Sequence, residues 1–272
     1  MAVKTEEHDV RERESPQNEM FPAERGISLK VRIKFSKTGA LRYIGHLDVM
    51  RYFQKAIRRT SLAASYSNGF SPHMIMSFAE PLGVGLTSIG EYFDLELDYE
   101  PFACPEGSRI AEELNGQMAE GIRVLGIRRI EDGRKNNAMS LVAAAAYTIS
   151  FKTDLNTGTE ELLQGFLKQK EIPAEKKTKS GLKTEDIRPL IFSLEAADVP
   201  EEEAEEGFLK SIRLFCSSGS AANLKPDAVM KALGEYAGVV FEPWDIRIRR
   251  DEIFAKDEKG DYIPLGDLGE SL

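Results

Sequence analysis

The sequence predicts an α+β protein built from two tandem ferredoxin-like domains, each with the element order βαββαβ and an antiparallel sheet. Short segments alternate apolar and charged residues, as strands do when one face of their sheet is buried. Longer segments between them carry apolar residues at helical spacing. The same order of elements then repeats, and 272 residues fit two domains of ordinary size better than one.

The first predicted unit is organised around a helix with a basic outer face. Leu47, Met50, Phe53 and Ile57 recur at helical spacing and predict its buried stripe, and an alternating strand at 29–35 precedes it. Its other elements are predicted to be strands at 74–79, 91–99 and 122–130 and a helix at 105–118. These elements assign residues 28–132 to the first ferredoxin-like domain.

The second predicted unit repeats this order with little residue identity and occupies residues 141–255. Its predicted strands lie at 144–152, 174–179, 185–194, 209–217 and 244–250, and its helices at 159–169 and 225–236. Residues 1–27 are charged and poor in apolar side chains, which predicts a disordered tail. Residues 256–272 are predicted to form a C-terminal polar tail or a polar hairpin.

Composition argues against several classes of protein. No run of about 18 apolar residues exists, so we expect no membrane partner. Cys104 and Cys216 stand alone, without CxxC or iron–sulfur spacing, which predicts a reduced, cytoplasmic protein with no metal and no cofactor. The net charge of −9 by itself argues against nucleic acid, so the distribution of charge matters more than its sum.

Basic residues concentrate in two runs, which predicts a surface for a polyanion such as structured RNA. The alternative is that both runs are solvated faces that keep the chain in solution. The runs comprise Lys30, Arg32, Lys34, Lys37, Arg42, Arg51, Lys55, Arg58 and Arg59, and then Lys168, Lys170, Lys176, Lys177, Lys179, Lys183 and Arg188.

Aromatic side chains lie among these bases, and aromatic rings can stack on unpaired bases of RNA. We expect Asp186 to orient Arg188 on a phosphate, with a mobile charged hairpin as the equal alternative. The predicted RNA-binding residues are Arg42, Tyr43, Arg51, Lys55, Arg59, Tyr66, Phe70, His73, Lys183, Arg188 and Arg249.

His46 is the candidate catalytic residue, because a histidine beside a carboxylate such as Asp48 can act as a general base near neutral pH. The alternatives are that His46 contacts a ligand or RNA, or that it only shapes the start of the helix. His73 is expected to lie far from His46, and no third ligand is apparent, so no metal site is predicted.

Several short motifs carry a resemblance to a known family. They are the GHLD sequence at 45–48, YSNGFSPH at 66–73, PLGVG at 81–85 and DIRP at 186–189. Over about residues 29–250 the chain resembles an uncharacterised bacterial family of radical-SAM-linked proteins, which stand alone or follow a radical SAM region. Gly45 replaces the serine that is usual there, and glycine is itself an acceptable helix cap.

The resemblance implies association with a radical SAM enzyme and with RNA modification. The chain lacks the CxxxCxxC triad of a radical generator, so it is not that enzyme itself. The leading hypothesis is an RNA-binding accessory factor in RNA modification or processing. The alternatives are a metal-independent RNA-processing nuclease that uses His46, and a protein-interaction module that docks on a radical SAM enzyme.

Overall fold

The computed structural model describes residues 27–99, 105–155, 158–178 and 181–272. It confirms the α+β class, with short helices packed on a large, mostly antiparallel sheet. The strands are β1 (Ile27–Lys37), β2 (Met76–Phe78), β3 (Thr87–Tyr99), β4 (Ile122–Arg129), β5 (Ala144–Phe151), β6 (Pro173–Thr178), β7 (Gly181–Asp186), β8 (Ile191–Ala197), β9 (Lys210–Ser217), β10 (Ile246–Lys256), β11 (Tyr262–Pro264) and β12 (Glu270–Ser271). The α-helices are α1 (His46–Ile57), α2 (Gly107–Asn115), α3 (Ala138–Leu141), α4 (Thr159–Leu167), α5 (Glu201–Glu205) and α6 (Pro226–Ala237).

One sheet of ten strands runs through both halves of the chain in the order β12-β4-β1-β3-β10-β5-β9-β8, with β2 also on β3 and β11 also on β10. Among the strand pairs that the structure describes, only β3 and β10 run parallel, and they pair over Thr87–Arg249 and Ser88–Arg250. This pairing joins the two halves. Gly90 permits it, because a Cβ there would overlap the backbone of Asp251.

The first hydrophobic core lies between β1, β3 and β4 and the helices α1 and α2. Alternate residues of a strand point to opposite faces, so Val31, Ile33 and Phe35 all face this core. Phe53 of α1 packs edge-on against Phe35, with ring centroids 4.7 Å apart. In the predicted stripe of the first helix, Phe53 and Ile57 are therefore buried as expected, Met50 is half-buried, and Leu47 is exposed.

The second core lies under α4 and α6 on the other half of the sheet. Ile149 and Phe151 of β5 and Phe166 of α4 are fully buried there. The strands predicted at 174–179 and 185–194 become three strands. Among the described residues, β6 and β7 pair only with each other, and β8 joins the main sheet. The hairpin is thus an insertion beside the sheet.

Of the two predictions for 256–272, the tail is wrong and the hairpin is closer, because this segment belongs to the sheet and β11 pairs antiparallel with β10. It contains β11 and β12, and β12 pairs with β4 of the first half. The Gly107 amide donates to the Leu272 carbonyl at 3.1 Å. Leu265 is fully buried in a small third core with Tyr92 and Ala138. The predicted N-terminal tail lies outside the described residues, apart from Ile27 in β1.

Candidate nucleic-acid interface

The outer face of α1 and the residues that follow it form an exposed basic surface. Burial of Phe53 and Ile57 against the sheet leaves Arg51, Lys55 and Arg58 pointing to solvent. Arg51 forms a weak, exposed pair with Asp48, at 3.6 Å between nitrogen and oxygen.

Three bases of this surface have no ion pair within the described part of the chain: Lys55, Arg58 and Arg59. Exposed cations that form no ion pair remain available to an external anion. We call Arg51, Lys55, Arg58 and Arg59 the α1 basic surface.

An aromatic loop lies beside the C-terminal end of this surface. The Arg58 Nε donates to the Tyr66 hydroxyl at 3.4 Å, and Tyr66 opens the loop at 66–73. Phe70, at the tip of the loop, is fully exposed. His73 closes the loop with Ser67, where the Ser67 oxygen and the His73 Nδ1 are 2.7 Å apart. Here the structure brings predicted RNA-binding residues together.

A second aromatic lies before the N-terminal end of α1. The Arg42 guanidinium stacks on the Tyr43 ring, 4.9 Å from its centroid, and 64 % of Tyr43 is exposed. Both residues belong to a short 3-10 helix at Gly39–Tyr43. One pair of a cation and an aromatic residue therefore lies at each end of α1: Arg42 with Tyr43, and Arg58 with Tyr66.

His46 and Asp48 do not form the predicted catalytic pair. Residues two apart on a helix do not face one another, and Asp48 turns outward to Arg51. His46 is half-buried and packs edge-on against Phe78, with ring centroids 5.0 Å apart. Burial lowers the pKa of His46, and the negative charge of Glu91 opposes this shift.

His46 lines only a small cavity on its buried side. His46, Lys37, Glu80 and Glu91 line a cavity of about 10 Å³. A cavity of that size holds about one water molecule. Burial also lowers the pKa of Lys37, while Glu91 raises it and Arg250 lowers it further. These contacts place His46 in the packing of the first half, beside Glu80 and Glu91.

Glu80 and Glu91, which line this cavity, also take part in buried charge contacts that connect the two halves of the chain. Arg250 of β10 donates two hydrogen bonds to the Glu91 carboxylate of β3, at 2.8 and 2.6 Å. It also donates to the Glu80 carboxylate at 3.2 Å and to the Glu80 carbonyl at 2.9 Å. Ser218 and Asn223 donate to the same Glu80 carboxylate. We call Glu80, Glu91 and Arg250 the junction cluster.

The first basic run does not form one surface, which corrects the expectation from sequence. Lys30, Arg32 and Lys34 lie on the opposite face of the sheet from α1, because they alternate with the core residues of β1. Arg32 binds Asp94 at 2.9 Å with both side chains buried, and Lys34 binds Glu252 at 2.6 Å. Neighbouring carboxylates thus neutralise Arg32 and Lys34.

Two predicted RNA-binding arginines of the second half, Arg188 and Arg249, also have structural partners. Arg188 donates to the Leu167 carbonyl at 2.8 Å, which caps the last turn of α4. Asp186 accepts the backbone amide of Arg188 at 3.0 Å and does not orient its guanidinium, as the sequence had suggested. Arg249 binds Asp251 at 2.7 Å, on the side of the sheet away from α1. Lys183 is exposed on β7.

His46 begins α1, whereas His73 lies in the loop beside the other end of this helix, which has 12 residues and is about 18 Å long. Over the described ranges, no three side chains of histidine, cysteine, aspartate or glutamate are arranged to hold a metal ion. Each helix within those same ranges is too short or too polar to pass through a lipid bilayer.

The bacterial family described as "Uncharacterized protein conserved in bacteria (DUF2344)" matches residues 30–226. The chain belongs to this family. The match includes α1, the loop at 66–73 and most of the second half, but ends before β10. The DUF2344 region therefore contains Glu80 and Glu91 of the junction cluster and leaves out Arg250.

A comparison with curated proteins finds no match. Among solved structures, the chain is similar to one in the "Crystal Structure of a Cbf5-Nop10-Gar1 Complex", at a TM-score of 0.41 and 12 % identity. The similarity covers 84 % of this chain and 50 % of that one, so the chain spans about half the length of this neighbour.

Proposed function

We propose that this protein binds structured RNA through the α1 basic surface and serves as an accessory factor in RNA modification or processing. The observation that carries the proposal is the combination of Lys55, Arg58 and Arg59, all exposed and unpaired among the described residues, with the aromatic loop beside them. Cations hold the phosphate backbone, and exposed aromatic rings accept bases.

The acidic remainder of the chain favours binding of RNA at the α1 basic surface over binding elsewhere. The net charge is −9, and Glu201, Glu202 and Glu203 lie in α5 of the second half. A polyanion is repelled by most of such a molecule and attracted where bases are unpaired. The α1 basic surface meets that condition, whereas Arg32 and Arg249 are already neutralised by carboxylates.

We also propose a radical SAM enzyme as the protein partner, on the strength of the motif resemblance at 45–48, 66–73 and 81–85. The chain then presents RNA and the partner supplies the radical chemistry. Co-purification of a radical SAM enzyme with the tagged protein from RNase-treated lysate is the expected result. Loss of that enzyme after RNase treatment would mean that RNA alone tethers the two proteins.

The strand neighbours support the further proposal that each half is a ferredoxin-like unit. In the first half β4, β1 and β3 are consecutive, with β2 on β3, and in the second half β10, β5, β9 and β8 are consecutive. Both orders place the last strand of the unit beside its first. Because the two units are joined through the edges of β3 and β10, the helices of both halves remain available to bind a partner.

Salt-dependent binding tests the RNA proposal. Fluorescence anisotropy with a labelled RNA hairpin should give a dissociation constant that rises steeply with salt. Lys55→Ala and Arg59→Ala should each weaken binding and reduce the slope of log K against log salt by about 1. Lys259→Ala removes the same charge from an exposed turn in the C-terminal segment and should leave both quantities unchanged. Absence of salt-sensitive binding by the wild type refutes the proposal.

A nuclease that uses His46 has less structural support, because Asp48 pairs with Arg51 and not with His46, and the cavity that His46 lines measures only about 10 Å³. His46→Ala should therefore bind RNA as tightly as the wild type, and its rate of RNA cleavage should not differ from that of the wild type. An RNA-cleaving activity that disappears in this variant at unchanged affinity would establish the nuclease instead.

A further inference from the structure

We infer that the loop at 66–73 is a stacking element that selects unpaired nucleotides, so that the RNA class bound is one with a single-stranded loop or end. This inference rests on the proposed RNA binding and adds which part of an RNA the site takes. Three features carry it: the closed geometry of the loop, the exposure of its tip, and its attachment to the α1 basic surface.

The loop is held in one shape at its base. Tyr66 and Met74 form an antiparallel bridge. The Ser67 amide donates to the His73 carbonyl at 2.9 Å, and the His73 amide donates to the Ser67 hydroxyl at 3.1 Å. Gly69, with φ of 122°, turns the chain in a conformation that other residues avoid. A ring at this tip is therefore already positioned before RNA arrives, which reduces the entropic cost of binding.

Phe70 makes no contribution to a core, because the residue is fully exposed and Gly69 and Ser71 beside it are exposed as well. An exposed phenylalanine gains nothing for folding, whereas its ring offers two faces for stacking. Bases inside a duplex are already stacked on each other, so such a ring can take only a base that is unpaired. Removal of this side chain should leave the fold intact.

The tip and the cations can act on the same strand. Phe70 follows Tyr66 by four positions, a distance of at most about 14 Å along the chain. Tyr66 is 42 % exposed and is in contact with Arg58. One continuous single strand can thus place a base on Phe70 and its phosphates near Arg58 and Arg59. A rigid duplex would contact the cations and leave the ring unused.

The test compares three labelled RNAs of equal length in anisotropy titrations: an unstructured single strand, a hairpin with an open loop, and a fully paired duplex. We expect the wild type to bind the first two more tightly than the duplex. Phe70→Ala should weaken binding to those two by between about fivefold and a hundredfold. Its affinity for the duplex should not change, because the α1 basic surface remains.

Two further variants at the same position separate stacking from simple apolar contact. Phe70→Trp should keep the preference for unpaired RNA, and Phe70→Leu should lose it as Phe70→Ala does. Leu182→Ala, which truncates an exposed apolar residue on the β6–β7 hairpin, is the matched control and should bind like wild type.

The inference is overturned if wild type binds duplex as tightly as single strand, or if Phe70→Ala binds all three RNAs normally. In either case salt-dependent binding through Lys55 and Arg59 would still support the proposed function. If wild type binds none of the RNAs, the proposed function fails and this inference fails with it.

Discussion

Replacement of Arg250 by methionine should destabilise the protein strongly and uncouple its two halves. Arg250 is 2 % exposed and donates to the carboxylates of both Glu80 and Glu91. Methionine fills part of the same volume but leaves both carboxylates without their counter-ion. Removal of one partner from a buried ion pair typically costs about 3–5 kcal/mol. That is a large part of a total stability of about 5–15 kcal/mol.

Urea unfolding measures this loss. With a denaturant slope of about 3 kcal/mol per molar, the midpoint should fall by roughly 1–2 M. Far-UV circular dichroism follows both halves, whereas fluorescence follows the single tryptophan, Trp244, in the second half. In the wild type the two transitions should coincide. In Arg250→Met they should separate, because the main charged contact between β3 and β10 is gone.

Arg32→Met is the matched control. Arg32 is as deeply buried and binds Asp94 with two hydrogen bonds, but both residues lie in the first half. Arg32→Met should lower the urea midpoint by a similar amount, but the circular dichroism and fluorescence transitions should still coincide. Adding Glu91→Gln to Arg250→Met should recover part of the loss, since the variant then buries one charge fewer. A loss below about 1 kcal/mol in Arg250→Met, or equal separation in Arg32→Met, would refute the role of the junction cluster.

Three other outcomes follow from the contacts. Burial holds the pKa of His46 below its ordinary value of 6.5, so the folded protein binds this proton more weakly than the unfolded chain. Stability should therefore fall as pH drops below about 6.5, and urea midpoints of His46→Gln should show a flatter acid limb. Burial raises the pKa of Cys216 to about 12. In a Cys104→Ser background its thiol should stay unmodified by a thiol reagent until urea unfolds the protein, and rapid native labelling would contradict its burial. Gly90→Ala should cost about 1–3 kcal/mol in urea unfolding, whereas Gly126→Ala, with open space around it, should be close to neutral.

The main strands and helices around the two large cores were predictable from local patterns, whereas the short elements at 138–141, 201–205 and 262–271 were not. Alternation at Val31, Ile33 and Phe35 and helical spacing at Phe53 and Ile57 report which face of a segment is buried. Such periodicities depend on the segment itself, so β1 and α1 appear close to where the sequence predicts them. The α1 basic surface and Phe70 were found in the same way, because exposed charge and glycine-rich loops leave a local signal.

What the sequence determined by itself was the identity of the elements and the apolar side of each. Only the tertiary structure decided which surfaces meet. Lys34 and Glu252 lie 218 residues apart, and Glu91 and Arg250 lie 159 apart. No local pattern connects residues at such separations. The packing of 256–272 on the first half and the parallel pairing of β3 with β10 bring them together. The same packing neutralises the bases of β1 and leaves those of α1 free, because a strand buries both its faces in this sheet while a surface helix buries only one.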